Sequence, residues 1–209
     1  MKYTLYGDLQ SGSATIELVL AEIGAPYEVR DISLETNAQR DETYKSVNPQ
    51  QKLPTLLTPE GETLTESVAI LLTLSERYPE AGLLPAPGST SRARALRWLL
   101  FIATELYPIV EINDYPERFS ADADAAPGIR ERAREIWRRR WLIVEDNIAG
   151  VPYLLTESFT MTDIYIAVVS RWAQQEVWRP MHIPKVERLA AAVAARPKCA
   201  PVWTRHRPA

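Results

Sequence analysis

The sequence has very few residues of the two kinds that most often bind metals or carry redox chemistry. Cys199 is its single cysteine, and His182 and His206 are its only histidines. One thiol excludes an internal disulfide, a C-x-x-C redox centre and a cysteine-rich metal site. Two imidazoles are too few for a histidine-rich metal cage. We therefore expect no bound metal.

Net charge and long hydrophobic runs are also lacking. The 24 Lys and Arg residues nearly balance the 27 Asp and Glu residues, which leaves a formal charge of −3. Such a surface offers no overall attraction to nucleic acid or to anionic lipid. The apolar runs are far shorter than the ~20 residues that cross a bilayer, and the first residues lack a signal-peptide apolar region. These absences predict a soluble, cytoplasmic protein with no nucleic-acid or membrane partner.

The residues that are present, 46% hydrophobic and 24% charged, are typical of a globular protein. Residues 2–6 alternate like a strand. Apolar residues at helical spacing predict a helix over 13–23, which ends at Gly24 before Pro26. Residues 27–32 form a second candidate strand. A strand, a helix and a strand in this order predict a parallel pair with a right-handed crossover.

The remainder of the first part adds a weak helix and a hairpin. The polar stretch 37–47 favours a weak helix, and two short runs over 55–58 and 62–64 about a Pro-x-Gly turn predict antiparallel strands. A further helix ends before Pro79. The order β-α-β-α-β-β-α is therefore predicted for an α/β domain over 1–80.

The second part differs, because every segment that follows a proline- and glycine-rich linker at 81–91 has a helical pattern. We predict an all-α C-terminal domain over 92–209, with helices over 92–112, 128–147, 161–172 and 184–196. Six arginines with interleaved glutamates favour a solvated helix face with i,i+4 pairs; they are Arg130, Arg132, Arg134, Arg138, Arg139 and Arg140.

Two short motifs carry most of the functional information. Lys52, Leu53 and Pro54 precede a strand, and because proline cannot donate to the ladder, Leu53 presents its backbone outward. A peptide ligand can pair with that backbone as an added strand. Glu66 and Ser67 lie at a helix start, which favours a bound carboxylate, while the acidic side chain can take an ammonium. A peptide with an amino-acid end fits both motifs, which describes glutathione.

These blocks, residues 52–56 (Lys-Leu-Pro-Thr-Leu) and 64–70 (Leu-Thr-Glu-Ser-Val-Ala-Ile), resemble the glutathione-binding half of cytosolic glutathione transferases. The resemblance implies a thioredoxin-like first domain in which Pro54 is cis and Leu53 pairs with the cysteinyl backbone of glutathione. The acid–serine pair then holds the γ-glutamyl end. The resemblance also implies a homodimer that uses glutathione as co-substrate and a small hydrophobic electrophile as the second substrate.

The second half is similar, in order, to the bacterial beta class of this family. Residues 98–106 resemble the first helix of its all-helical domain, and residues 195–197 (Ala-Arg-Pro) resemble its closing helix. Thr160 and Asp163 resemble its buried capping box. The spacing of these two residues predicts a helix cap without the family, with a stabilisation of ~1 kcal/mol.

The chain departs from the beta class where the chemistry takes place. That class usually carries a cysteine near the start of its first helix, where this chain has Ser11-Gly12-Ser13. Cys199 lies near the other end of the chain and is no substitute, so a mixed disulfide with glutathione is excluded at this site. The loop instead resembles serine-type members, in which a hydroxyl hydrogen-bonds to the glutathione sulfur. Tyr107 replaces the histidine of that class, and we expect it in the wall of the electrophile pocket.

Three hydroxyls are candidates for the catalytic group that holds the sulfur. Ser11 is the first choice, because it leads the turn and Gly12 allows a close backbone approach. Ser13 has the N-cap of the helix as its alternative role. Tyr6 ends the first strand, near the place of the phenol in tyrosine-type members, with packing under the first helix as the alternative. Backbone N–H groups at the helix start are a further possibility.

Three functions are compared. The leading one is an enzyme that conjugates glutathione to a small electrophile. The second is a non-catalytic carrier of glutathione or of hydrophobic ligands, because a fold does not fix a function. A thiol-disulfide reductase is disfavoured by the missing cysteine. For the basic run, the alternative to a solvated face is an arginine that reaches a glutathione carboxylate, either within one subunit or across a dimer.

Overall fold

The computed structural model describes residues 2–156, 158–172 and 177–206. These form two compact units: one holds the described residues up to Leu84 together with those from Val193 onward, and the other runs from Pro85 to Ala192. This grouping differs from the predicted division, which keeps 92–209 together, because the last helix packs on the first. The predicted domain boundaries stay a prediction. Within the described ranges, no helix combines the length and apolar character of a membrane span.

The first unit is built on a four-stranded mixed sheet in the order β2-β1-β3-β4. Its strands are Tyr3–Gly7 (β1), Tyr27–Asp31 (β2), Thr55–Leu57 (β3) and Thr63–Leu64 (β4). β1 is parallel to β2, while β3 is antiparallel to both β1 and β4. The predicted thioredoxin-like domain, with its parallel pair and its hairpin, is therefore confirmed.

The described residues form ten α-helices, which are Ser13–Ile23 (α1), Glu42–Lys45 (α2), Ser67–Arg77 (α3), Thr90–Phe101 (α4), Tyr107–Asp114 (α5), Ala126–Asn147 (α6), Met161–Val169 (α7), Trp178–His182 (α8), Pro184–Ala194 (α9) and Ala200–Arg205 (α10). α8 and α10 are not predicted from the sequence. The helical second part and the order of elements in the first are confirmed.

The core of the first unit lies between the sheet and the helices α1 and α3. α1 is buried from its first residue to Leu20, and its end at Gly24 has the left-handed φ of 74° that glycine adopts freely. The residues with no exposed surface include Leu5, Ile16, Leu56, Ile70 and Leu74. This packing fixes the start of α1 against the sheet.

The predicted helix over 92–112 consists of α4, a π-helical segment over Ile102–Leu106, and α5. Pro108 has no N–H, so it cannot donate to the carbonyl four residues earlier, and the chain widens there. Arg140 supplies donors to this widened turn, since it hydrogen-bonds to the Glu105 carbonyl and forms an ion pair of 2.6 Å with its carboxylate.

The interpretation of the basic run as a solvated face is only partly right. Arg132 does pair with Glu135 on the surface, at 2.8 Å and i,i+3 spacing. Arg130 and Arg134, however, donate from their Nε atoms to the backbone carbonyl and the side-chain oxygen of Asn113, at 3.1 and 3.2 Å. Part of the run therefore binds the end of α5 rather than solvent.

The start of α7 carries the predicted capping box of Thr160 and Asp163. The Asp163 carboxylate accepts the Thr160 N–H at 2.7 Å, the Thr160 hydroxyl at 3.0 Å and the Leu154 N–H at 2.7 Å. Burial raises the pKa of the Asp163 carboxyl from 3.8 to about 6, although the N–H donors oppose that rise. The box thus holds a segment before α7 as well as the helix start.

We predict that Asp163→Asn is destabilising, because its amide NH₂ faces a donor, and that the loss depends on pH. Between pH 3.8 and about 6 the native state retains a proton that the unfolded chain releases. The free energy of unfolding of the wild type therefore falls as pH rises through this window. Urea unfolding across it should show the gap between wild type and variant narrowing with pH. A gap that stays constant or widens would contradict the assignment.

Candidate functional site

The topology of the sheet brings the three candidate motifs of the first unit to the side of the sheet where β1 ends and β3 begins, which we call the sheet edge. Tyr6 at the end of β1 pairs with Thr55 at the start of β3, so the loop after Gly7 lies beside the segment that precedes β3. Leu56 pairs with Leu64, and the antiparallel direction carries the chain beyond β4 to the same edge. The serine loop, the Leu53–Pro54 segment and the start of α3 therefore meet there.

The hydroxyls of Ser11 and Ser13 form one hydrogen-bonded pair, with their Oγ atoms 2.8 Å apart. Both can donate to the Asp8 carbonyl, Ser11 at 2.8 Å and Ser13 at 3.1 Å. Ser11 Oγ also accepts the N–H groups of Ser13, at 3.2 Å, and Asp8, at 3.3 Å. Two hydroxyl hydrogens thus share one carbonyl acceptor.

The alternative role considered for Ser13, the N-cap of α1, is not the one the structure shows. Gly12 takes the N-cap position of α1 with no side-chain cap, and Ser13 is the first helical residue. The Ser13 side chain is 2% exposed, against 8% for Ser11, and it packs on Gly7, where an added Cβ would lie 2.3 Å from its Oγ. Ser11 is therefore the more accessible of the two hydroxyls.

Tyr6 lies in a hydrophobic cluster rather than in the serine loop. Its ring contacts that of Tyr44, with centroids 5.9 Å apart, and Leu53 belongs to the same cluster. The phenol oxygen accepts a hydrogen bond from Arg30 Nη1 at 3.3 Å. Tyr6 thus packs on Tyr44 of α2, and these contacts support the packed role that was the alternative to catalysis.

The Leu53–Pro54 peptide bond is cis, as the resemblance implies. Among the described residues, none hydrogen-bonds to the backbone N–H or C=O of Leu53. Two residues that the sequence did not single out clamp this segment: Tyr44 donates its phenol and Asn48 its amide to the Lys52 carbonyl, at 2.8 and 2.9 Å. Burial raises the pKa of the Tyr44 phenol, so it stays a donor. The backbone of Leu53 is held in place for a partner strand.

The acid–serine pair lies at the start of α3, with Glu66 at the N-cap and Ser67 as first helical residue. Glu66 has a φ of 64°, which is sparsely populated for a residue with a side chain. Its carboxylate is exposed and accepts the Gln50 amide at 3.3 Å. Gln50, another residue not singled out from the sequence, thereby ties the Leu53 loop to the helix start. Strain of this kind concentrates at ligand sites.

Tyr107 and Cys199 lie outside this edge. Tyr107 opens α5 in the second unit, and its ring meets Trp172 edge-on, with centroids 4.9 Å apart. Cys199 is buried beside Glu22, at the end of α1 away from Ser11, and donates to that carboxylate at 3.2 Å. Burial, followed by Glu22, raises the pKa of the Cys199 thiol to about 12, which disfavours its thiolate form.

Metal coordination has no support in the part of the chain that the structure describes. Within it, three or more His, Cys, Asp or Glu side chains are nowhere grouped as they would be around a metal ion. The site is built from hydroxyls, backbone amides and one exposed carboxylate.

Residues 1–75 match the family model of the glutathione S-transferase N-terminal domain. An uncharacterized GST-like protein, YncG of Escherichia coli K12, is 28% identical over 203 residues, covering 97% of each chain. A glutathione transferase homologue from Sulfitobacter with bound glutathione superposes with a TM-score of 0.90 at 24% identity, covering 97% of each chain.

A sphingomonad glutathione S-transferase complexed with glutathione is 28% identical, with a TM-score of 0.79 over 97% of this chain and 98% of that one. The superpositions establish the shared fold, and the sequence matches span both parts of the chain. The first part of the chain is thus similar to the glutathione S-transferase N-terminal domain, and the whole chain is similar to GST-like proteins and to glutathione transferases of the same fold.

Proposed function

We propose that this protein is a glutathione transferase that stabilises the glutathione thiolate by hydrogen bonding at the start of α1 and conjugates it to a small hydrophobic electrophile. The observation that carries the proposal is the meeting of the Ser11 hydroxyl, the Leu53 backbone and the Glu66–Ser67 helix start at one sheet edge. The sphingomonad relative has glutathione bound, which supports the same co-substrate here.

The energy that the reaction needs is within the reach of such a site. A free thiol has a pKa of ~8.5, and lowering it by about two units takes ~2.7 kcal/mol of preference for the thiolate. One hydrogen bond to a charged group contributes roughly 1.5–3 kcal/mol, and a helix N-terminus adds about 0.3–1 kcal/mol. No general base is required, since the thiol proton leaves to solvent. The thiolate then bonds to the electrophilic carbon as either a leaving group departs from that carbon with its electron pair or a double bond to it opens and takes up a proton.

The serine pair allows Ser11 to donate to sulfur without a backbone movement. When Ser13 donates to Ser11 Oγ, the hydrogen of Ser11 is free to turn toward the thiolate while the serine pair stays hydrogen-bonded. Two backbone N–H groups still point at Ser11 Oγ, and donors to a hydroxyl oxygen polarise its O–H bond. Ser11 is therefore our choice for the catalytic hydroxyl, with Ser13 as its support.

The other residues of the site are proposed to bind the remaining parts of glutathione. The backbone of Leu53 pairs with the cysteinyl unit of glutathione, in the strand-addition mode, with Lys52 and Pro54 in the same segment. Glu66 takes the γ-glutamyl ammonium, while Ser67 and the first N–H groups of α3 take its carboxylate. Tyr107, with Trp172 against it, lines the electrophile pocket.

Removal of the Ser11 hydroxyl tests the mechanism. Ser11→Ala should lower turnover and raise the pKa of bound glutathione toward its free value, because the donor to the thiolate is lost. Glutathione affinity should change little, since this is one contact of many. Thiolate absorbance against pH, steady-state kinetics and calorimetric titration measure the three quantities. Ser46→Ala is the matched control, because its hydroxyl donates only to a nearby carbonyl on an exposed turn.

Other outcomes separate the alternatives. If Ser13→Ala or Tyr6→Phe abolishes turnover while Ser11→Ala does not, the choice of residue is wrong. If all three retain turnover, hydroxyl activation is wrong, and backbone N–H groups are left. Glutathione binding with no turnover of any electrophile would favour the carrier function. Ser11→Cys, incubated with oxidised glutathione, should gain a mixed disulfide by thiol–disulfide exchange that releases one molecule of glutathione.

The strained backbone of Glu66 predicts that this residue lowers the free energy of unfolding of the protein while it strengthens glutathione binding. Glu66→Ala and Glu66→Gly should both weaken glutathione binding about ten- to hundred-fold, because each removes a charge-assisted hydrogen bond of roughly 1.5–3 kcal/mol. Only glycine relieves the φ of 64°, so Glu66→Gly should be more stable than Glu66→Ala by about 1 kcal/mol. Titration calorimetry and urea unfolding measure these effects. Unchanged affinity in both variants would remove Glu66 from the site.

We also propose that the protein is a homodimer in the cytoplasm, as the resemblance implies. Exposed apolar residues on α4 and α6 support an interface, namely Leu100 at 53%, Leu142 at 39% and Ile143 at 43% exposure. A standard interface buries roughly 1,600 Å². Sedimentation at micromolar concentration should give about twice the chain mass, and a single species at 23.6 kDa would contradict the dimer.

A further inference from the structure

The end of the chain contacts the serine loop within the first unit. His206 directly follows α10, and its Nδ1 accepts the backbone N–H of Gln10 at 3.1 Å. Gln10 is the residue before Ser11 and has a left-handed φ of 59°. An imidazole nitrogen that accepts a hydrogen bond carries no proton, so the ring hydrogen is on Nε2. The contacts of the second ring nitrogen, Nε2, show which group accepts that hydrogen.

Nε2 of His206 lies 2.8 Å from Oε2 of Glu17. Glu17 is 3% exposed although it is a carboxylate in the middle of α1. Tyr27 donates to its Oε1 at 3.2 Å, and Arg205 donates to Oε2. Burial and Glu17 raise the pKa of the Tyr27 phenol to about 12, which keeps it a donor. Glu17 therefore fixes the orientation of the His206 ring from within the first helix.

The loop before Ser11 is anchored at its two ends by different groups. At the first end, the Asp8 carboxylate accepts the Leu34 N–H at 2.7 Å and the Leu9 N–H at 2.8 Å. At the second end, Gln10 is held by His206. Because a left-handed residue with a side chain relaxes unless its surroundings hold it, the contact from His206 bears on the direction in which Ser11 points.

We propose that His206 is a positioning residue for the thiolate site: through the Gln10 N–H it holds the backbone that aims the Ser11 hydroxyl at the glutathione sulfur. The inference rests on the proposed function. It links the residue that follows the last helix to the serine loop, although His206 touches neither co-substrate nor reacting atoms. The two ring nitrogens have different partners, so substitutions can separate the positioning contact from the anchoring one.

Two amide variants of His206 divide its contacts. The side-chain oxygen of His206→Asn lies where Nδ1 lies, so this variant keeps an acceptor for Gln10 and loses the donor to Glu17. His206→Gln reaches the position of Nε2, so it keeps the contact to Glu17 and loses the acceptor. Arg205→Gln is the matched control, because it weakens the anchor at Glu17 without a contact to Gln10.

His206→Gln should lower kcat about tenfold or more, as a misplaced catalytic group does, and raise the pKa of bound glutathione by about one unit, with KM for glutathione within about threefold. His206→Asn and Arg205→Gln should lower kcat clearly less than His206→Gln does, because both keep an acceptor for the Gln10 N–H, even though both lose stability in urea. Amide exchange of Gln10, read in the protein without glutathione, should quicken in His206→Gln alone.

Three results would overturn the proposal. One is a normal thiolate pKa and kcat in His206→Gln, and another is an equal loss in His206→Asn and Arg205→Gln, which would make the role of the cluster structural. The third is a wild type that forms no glutathione thiolate, which would overturn the proposed function and this inference together. Normal thiolate formation in the wild type with no effect of His206→Gln removes the inference alone.

Discussion

The pairing of β1 with β3 is the constraint on which the rest of the site depends. Because Tyr6 pairs with Thr55, the end of β1 and the start of β3 lie at the same sheet edge. The serine loop begins there after β1, and the segment from Leu53 reaches β3 there. Because a slip by one residue would turn every side chain of β3 to the other face, the buried Leu56 also fixes this register. Tyr44 and Asn48 reinforce it, since they join the Lys52 carbonyl to the Thr55 hydroxyl.

Around this edge three residues have unfavourable backbone conformations, and side-chain hydrogen bonds stabilise each of them. Gln10, Gln51 and Glu66 all have positive φ. Side chains distant in sequence contact two of them, His206 at Gln10 and Gln50 at Glu66, while Gln51 sends its own amide to the Arg40 carbonyl at 2.9 Å. Local preference alone would relax these residues toward the α or β regions. The energy of the surrounding contacts thus keeps these three backbone conformations in place.

How far the sequence predicts this arrangement depends on whether a signal is local. Three predicted features depend on only a few neighbouring residues each, and the structure contains all of them. They are the end of α1 at Gly24, the hairpin about the Pro-x-Gly turn and the capping box of Thr160 and Asp163. α10 was missed because six residues with a proline near the start carry too little periodicity. The N-cap alternative for Ser13 does not hold, because its hydroxyl bonds to the Asp8 carbonyl, five residues back, rather than to its own helix. The contact of His206 spans 196 residues, and no window along the chain can show it.

Glu17 accounts for how a short last helix finds one position on α1. An apolar residue at 17 would be covered equally well by any apolar surface of α10, whereas a buried carboxylate is satisfied only where donors meet it. Tyr27, Arg205 and His206 meet it from two elements. A shift of α10 by one residue would turn its side chains by about 100°, since a helical turn takes 3.6 residues, and would leave Glu17 without the imidazole. The carboxylate therefore sets the register that brings His206 Nδ1 to within 3.1 Å of the Gln10 amide.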